Sequence, residues 1–192
     1  MPKYVILADK SFDYISSKTG NMLIRYKPDE VIVIIDSAND SKSSKDILGW
    51  GRDIPIVSSF DEAKVYSPTH LVVGNAPQGG RLNQLGLFQI KQAIKFGCHI
   101  ISGMHQFLTE NDEIRLLAKK NDVKLIDLRM PPAEDHFPKG SWKNREFPVL
   151  LVVGTDCDTG KMTTAWELYT LLKKEGIRVQ FLATGQTGIF LS

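Results

Sequence analysis

Through residue 129 the chain alternates short apolar runs with polar or amphipathic stretches. The runs are Tyr4–Ala8, Val31–Ile35, Ile54–Val57, Leu71–Val73, His99–Ile101 and Lys124–Leu128. Each is strand-sized, and the stretches between them carry helical periodicity. That periodicity is clearest from Leu82 to Phe96, where Leu85, Phe88, Ile90, Ala93, Ile94 and Phe96 form an apolar side and Gly97 supplies a stop. A second helix is expected from about Asn111 to Lys120, with Ile114, Leu117 and Ala118 inward. Thr109 is its expected N-cap, and Asp112 and Glu113 suit its first turn. Ser59 reads as the cap of a short helix containing Phe60 and Ala63. Strands alternating with helices predict an α/β fold: a mostly parallel sheet with helices on both faces, a Rossmann-like domain over residues 1–132.

Pro131-Pro132 ends that domain, because proline blocks further ladder or helix bonding. Residues 133–147 are polar and read as a linker, within which His136 and Trp142 could touch a ligand. A second domain starts at residue 148. Val149–Val153 is an unbroken apolar run, the pattern of a strand buried on both faces, and a glycine-bounded loop follows it. Met162, Ala165, Trp166, Tyr169 and Leu172 then repeat at helical spacing as a core stripe, Lys173 and Lys174 suit the helix C-terminus, and Gly176 closes it. Val179–Ala183 is expected as the next strand, ending in Thr184-Gly185-Gln186-Thr187-Gly188, where Gln186 and Thr187 are candidate substrate contacts. Only 39 residues run from Gly154 to the end, and Ile189-Phe190-Leu191 reads as an apolar strand without a partner. The expectation is therefore the first βαβ part of a P-loop NTPase-like domain, cut inside it, and inactive as this piece alone.

The loop itself carries the strongest chemistry. Gly154, Thr155, Asp156, Cys157, Asp158, Thr159, Gly160, Lys161, Met162, Thr163 and Thr164 follow the order strand, glycine-bounded loop, lysine, hydroxyl-bearing helix start. Such a loop needs glycines so that successive backbone N–H groups can turn toward phosphate oxygens. It needs a helix N-terminus because unpaired N–H groups and the positive dipole end favour an anion. Five residues separate Gly154 from Gly160, where the common pattern has four. Met162 stands directly after the lysine, where a Ser or Thr would hold Mg²⁺, and Thr163 is rotated about 100° from that position. Phosphate binding is thus well supported, and Mg²⁺ use is left open.

Composition excludes more than it assigns. An apolar fraction of 42%, a charged fraction of 24% and a formal net charge of +2 describe an ordinary globular chain. They give no case for nucleic acid or for a membrane surface. The N-terminus lacks the apolar core and cleavage site of a signal peptide, and a cytoplasmic location follows by default. Cys98 and Cys157 offer neither a disulfide framework nor metal-ligand spacing, so no metal site is expected. A small-molecule substrate is the expected partner, with homo-oligomer formation left open.

In a parallel sheet, ligands sit beyond the carboxyl ends of the strands. Asp9-Lys10, Asp36-Ser37, the loop Gly74–Arg81, Ser102-Gly103-Met104-His105 and Asp127-Leu128-Arg129 fall there. Gly79 and Gly80 allow close backbone approach, Asn75 lies in the same loop, and Arg81 can take a carboxylate or phosphate bidentately. The alternative is a tight turn with a surface arginine. His105 is a candidate acid or base, or a hydrogen-bonded bystander. Asp36 resembles a ribose-binding acid, yet the first strand is followed by Asp9-Lys10-Ser11-Phe12 and not by G-x-G-x-x-G, which argues against an NAD enzyme.

A set of ordered motifs carries a family resemblance across nearly the whole chain. They are Lys18-Thr19-Gly20 leading to Arg25-Tyr26, Ile35-Asp36-Ser37, Ile54 to Val57, Gly74 to Leu82, Ser102 to His105, Arg129-Met130-Pro131-Pro132, Gly154 to Thr164 and Ala183 to Gly188. With these the chain resembles the N-terminal part of a P-loop family long filed as a domain of unknown function, some of whose members are described as D-glutamate N-acetyltransferases. The loop is also similar to that of dethiobiotin synthetases, from which Met162 departs, whereas Lys-Met-Thr-Thr matches the closer family. What the resemblance implies is acetyl transfer from acetyl-CoA to an amino acid amine. The P-loop would grip a CoA phosphate, Arg81 or Arg129 would hold a substrate carboxylate, and His105 would accept the amine proton. Cys157 is a candidate acyl carrier or simply a small loop residue. Two other readings stay open: an ATP-dependent ligase with Thr163 or Thr164 replacing the usual metal ligand, and a non-catalytic nucleotide-binding regulator.

Overall fold

The structure is a computed structural model, and it describes residues 1–75, 82–131, 140–156 and 159–192. Met1–Met130 and Pro131–Phe190 form two compact units. In the first unit six strands make one parallel sheet in the order β3-β2-β1-β4-β5-β6. They are β1 (Tyr4–Leu7), β2 (Val31–Ile35), β3 (Ile56–Val57), β4 (His70–Val73), β5 (His99–Ser102) and β6 (Leu125–Asp127). Every strand falls on or within a residue of an apolar run seen in the sequence, trimmed at the ends where the ladder stops. For the inner strands the reason is burial on both faces. Val5, Ile6 and Leu7 lie between β2 and β4 with essentially no exposure, so an alternating pattern would bury polar groups.

The connecting helices are α1 (Lys18–Tyr26), α2 (Ser44–Leu48), α3 (Phe60–Ala63), α4 (Gln84–Phe96) and α5 (Asp112–Lys120). Their starts are set by side chains that accept from free backbone N–H groups. Ser59 accepts from Glu62 at α3, Asn83 from Gly86 at α4, and Asn111 from Ile114 at α5. The cap of α5 is therefore Asn111 and not Thr109. The Thr109 hydroxyl is engaged elsewhere, donating to Asp127 Oδ2 at 2.7 Å. Gly97 ends α4 at φ 96, a left-handed conformation that suits glycine.

The inward face of α4 also differs from the expectation. Gly86, Gln89, Ile90, Ala93 and Ile94 are buried, while Leu85, Phe88 and Phe96 are 41%, 53% and 43% exposed. Gln89 goes inward because its Oε1 accepts the backbone N–H of Phe60 at 2.8 Å, a donor that would otherwise be stranded. Periodicity alone could not rank a hydrogen-bonded glutamine above a phenylalanine.

In the second unit, α6 (Lys161–Lys174) follows the P-loop and α7 (Gln186–Leu191) ends the chain. Met162, Ala165, Trp166, Tyr169 and Leu172 are half-buried, and Trp166 meets Phe181 edge to face with ring centroids 4.8 Å apart. Gly176 closes α6 at φ 75. Three expectations fail here. Neither Val149–Val153 nor Val179–Ala183 forms a strand, and Leu151 is 76% exposed. A strand exists through its ladder, and no described segment pairs with either run. Ile189-Phe190-Leu191 is helical, in α7, and not an unpaired strand: with no ladder on offer, the backbone satisfies itself locally, Ile189 N–H bonding the Gly185 carbonyl at 3.0 Å.

Close packing at the centre of the sheet makes one substitution informative. A Cβ at Gly74 would lie 2.4 Å from Ile6 Cγ2 and 3.5 Å from Gly20 Cα. Gly74→Ala should therefore cost about 2–3 kcal/mol through overpacking, read as a lower urea midpoint with an unchanged slope.

Candidate functional site

The P-loop segment doubles back on itself. A Cβ at Gly154 would fall 2.5 Å from Thr159 Oγ1 and 3.0 Å from Lys161 Cγ, so the loop closes only over a residue without a side chain. Thr159 Oγ1 donates to the Asp156 carbonyl at 3.1 Å. Lys161 Nζ donates to that same carbonyl and, at 3.2 Å, to Thr159 Oγ1. The lysine is thus folded over the loop and not extended into solvent. Gly160 stands at the N-cap of α6 at φ 84 and brings no capping side chain, and the first turn holds no acidic residue. A helix N-terminus beside an ammonium group is an arrangement that favours an anion. Thr155, Asp156 and Thr164 are exposed, and Met162 and Thr163 partly so. Cys157 and Asp158 lie outside the described residues. Gln186 and Thr187 fall in the first turn of α7, with Thr187 buried.

In the first unit the carboxyl ends of β1 and β2 are tied together by two aspartates. Asp36, fully buried, accepts from the backbone N–H groups of Lys10 at 2.7 Å, Ala38 at 3.0 Å and Phe12 at 3.2 Å, and from Asn39 Nδ2 at 2.9 Å. Its resemblance to a ribose-binding acid is overturned, because both oxygens are already spent on the protein's own donors. Asp9 Oδ1 accepts from Ser37 N–H at 2.9 Å and Ser37 Oγ at 2.6 Å. Asp13 accepts from the N–H groups of Ile15 and Ser16, and these bonds, that from Ser16 foremost, hold its carboxyl below the ordinary carboxylate value.

Asn75 follows β4, its Nδ2 donating to Ser11 Oγ at 2.9 Å. Ala76 to Arg81, which include the candidates Gly79, Gly80 and Arg81, lie outside the described residues, as do Pro132 and His136 and the side chain of Trp142. Arg129, just past β6, donates through Nε to the Gly103 carbonyl at 2.7 Å. That bond joins the loop after β6 to the one after β5, which carries His105 two residues on, exposed. Asp127 steadies the same region by accepting from Leu108 N–H and Thr109 N–H, each at 3.0 Å. Arg129 and His105 therefore stand on adjoining loops, and Asn75 stands at the end of β4.

Two residues that sequence reasoning did not single out belong here. Ser17 and Asn21 are buried at the start of α1, on the side that continues into Gly20 and Ile24. The signal was present in the spacing: a helix whose inward side opens on Ser and Asn, where apolar residues are the rule, holds polar groups for a reason.

Fold and site together define a two-part α/β chain, a Rossmann-like sheet followed by a phosphate-type loop on a helix. Comparison with known proteins agrees and goes further. The description "Domain of unknown function (DUF1611_N) Rossmann-like domain" matches residues 37–131, and "Domain of unknown function (DUF1611_C) P-loop domain" matches residues 136–192. The chain belongs to the DUF1611 family. The crystal structure of a DUF1611 family protein from Anabaena variabilis is similar to the whole of this chain at 33% identity and a TM-score of 0.91, over 55% of its own length. A D-glutamate N-acetyltransferase from a Pseudoalteromonas species is 40% identical over 134 residues, 70% of this chain and 40% of the relative. Another from Tritonibacter scottomollicae is 28% identical over 190 residues, 98% of this chain and 54% of the relative. The chain spans about half the length of these curated relatives. No helix among the described residues is long and apolar enough to cross a membrane.

Two outcomes follow from the buried groups. Asp36→Ala would strand several donors in the interior and should cost about 3 kcal/mol of stability, measured by urea denaturation. Cys98 is buried, and desolvation pushes its thiol up to about 12. It should stay unlabelled by a thiol reagent at about pH 8 until denaturant is added, with peptide mass spectrometry locating the label.

Proposed function

We propose that the Gly154–Thr164 loop seats the phosphate groups of acetyl-CoA, and that the protein works as an N-acetyltransferase on an amino acid such as D-glutamate. The observation that carries the phosphate seat is the Lys161 ammonium folded over a glycine-closed loop at the start of α6. These groups fit an anion: one mobile positive charge, backbone donors, and no carboxylate in the first turn of α6. CoA and ATP both offer such an anion. Met162 in the position after the lysine favours CoA, because holding phosphate for acyl transfer requires no metal-binding hydroxyl there. The names borne by the Pseudoalteromonas and Tritonibacter relatives point to the same transfer.

Acetyl-CoA would supply an activated acyl thioester; the chain's residues would bind and orient. Lys161, Thr155, Thr159 and the first-turn N–H groups of α6 would hold phosphate oxygens, with Thr163 and Thr164 as neighbouring hydroxyls. Arg129, or Arg81, would pair with a substrate carboxylate, and His105 would take the proton the amine loses as it attacks. Asn75, Gly79, Gly80, Gln186 and Thr187 complete the proposed substrate contacts.

On a chain of the curated relatives' full length, binding is checked by calorimetry with acetyl-CoA and with ATP–Mg²⁺, and turnover by mass spectrometry for N-acetyl-D-glutamate. Acetyl-CoA should bind, and Lys161→Ala should weaken it by a factor of about ten or more, as expected for loss of a charge-assisted contact. Undiminished affinity in that variant would remove the loop from the site. Amine-dependent ADP release would identify a ligase of dethiobiotin-synthetase type instead, and binding without product would identify a nucleotide-binding regulator.

A further inference from the structure

In the strand order β3-β2-β1-β4-β5-β6 the chain reverses direction across the sheet between β1 and β4, and at that point doubly wound folds take their ligands. A pyrophosphate is received there by free backbone N–H groups. Among the described residues the N–H groups in the loop after β1 and at the start of α1 are largely taken. Lys10 and Phe12 N–H groups bond Asp36, Ile15 and Ser16 N–H groups bond Asp13, and Gly20 N–H bonds the Gly74 carbonyl at 3.2 Å.

What remains bare is the opposite polarity. Four buried polar atoms among the described residues have no hydrogen-bond partner: Asp9 Oδ2, Ser17 Oγ, Asn21 Oδ1 and Asn75 Oδ1. Ser17 and Asn21 are themselves 0% and 3% exposed. The amide orientations follow from the bonds made. Asn21 Nδ2 donates to the Asp13 and Tyr14 carbonyls, so its oxygen is the free end. Ser11 Oγ spends its hydrogen on the Ala8 carbonyl and accepts from Asn75 Nδ2, which leaves Asn75 Oδ1 free as well. The segments carrying these atoms are packed together. Gly74 touches Gly20, and a Cβ at Gly20 would lie 3.3 Å from Ser17 Oγ. Ser11 bridges from the loop after β1 to Asn75 after β4.

We propose that this junction of β1, β4 and α1 binds a primary ammonium group carried by a small ligand, with Asp9, Asn21 and Asn75 accepting its three hydrogens and Ser17 beside them. Among the described residues no Lys or Arg pairs with Asp9. An ammonium brings three donors and a positive charge; a water brings two donors and none. A phosphate has only acceptors to offer to acceptors. The site does not rest on the P-loop reading, although it shares Asn75 with the substrate contacts proposed above.

The test uses amide NMR shifts of residues 9–21 and 74–75 in the 192-residue chain. Methylammonium, tetramethylammonium and potassium chlorides are titrated at matched ionic strength. Methylammonium should shift these amides saturably, while the other two cations should not. Tetramethylammonium carries the charge without N–H donors, so an equal response to it or to potassium would overturn the proposal, as would silence toward all three. Asn75→Ala should weaken methylammonium binding about tenfold while the amides of β5 and β6 keep their positions. Unchanged affinity in that variant would also overturn it. The comparison among the three cations needs no variant and decides the matter if Asn75→Ala does not fold.

Discussion

Everything in the first unit depends on the parallel ladder on either side of β1. Its backbone is paired with β2 along one edge and β4 along the other, and its side chains are buried on both faces. That double constraint fixes which residues stand at the carboxyl ends. Asp9 and Lys10 emerge beside Asp36 and Ser37 on one side and beside Gly74 and Asn75 on the other. A register slip of one residue would invert every side chain of β1 and scatter this group. The glycines at 20 and 74 serve the same contact: they let the first turn of α1 come down onto the end of β4, where Gly20 donates to the Gly74 carbonyl.

The second unit shows what happens when that constraint is missing. Val149–Val153 has a composition as apolar as β2, yet it makes no ladder and most of its side chains face solvent. Hydrophobicity proposes a strand, and a paired neighbour makes one. Helices need no such neighbour, so α6 forms, and with it the closed loop before it. The closed loop is therefore a local structure. It rests on Gly154, Gly160, Thr159 and Lys161, residues close together along the chain.

The sequence was legible where burial is symmetrical and opaque where a hydrogen bond overrides apolarity. The inner strands β1, β2, β4 and β5 could be found from their apolar runs, because a strand covered on both faces leaves little other pattern. The edge strand β6, with Ile126 38% exposed, was found by its place in the alternation. The face of α4 was misjudged at Leu85, Phe88 and Phe96, since the bond from Phe60 N–H to Gln89 draws a polar residue into the core. Asn111 displaced Thr109 as a cap for a similar reason, the threonine hydroxyl having a carboxylate in reach. The loop at Gly154–Thr164 was readable because its residue types are dictated by backbone geometry at close range. The proposed grouping of Asp9, Ser17 and Asn21 with Asn75 was not, because Asn75 lies far along the chain and comes to the end of β1 only through the sheet order.

The proposed ammonium seat bears on which amine could react. An amine attacks a carbonyl only after losing its proton. A seat made of a carboxylate oxygen and two amide oxygens stabilises the charged, protonated form and so holds that proton in place. The junction at β1 and β4 is thus suited to recognising an ammonium group and poorly suited to releasing a nucleophile. An amine that is to be acylated wants the other arrangement: its carboxylate paired with a guanidinium and its nitrogen facing a proton acceptor. The loops after β5 and β6, which carry His105 and Arg129, offer residues of that kind, without the row of bare acceptors. If both seats are used, one ligand is read by its charge and the other is changed, and the chemistry of the side chains assigns which is which.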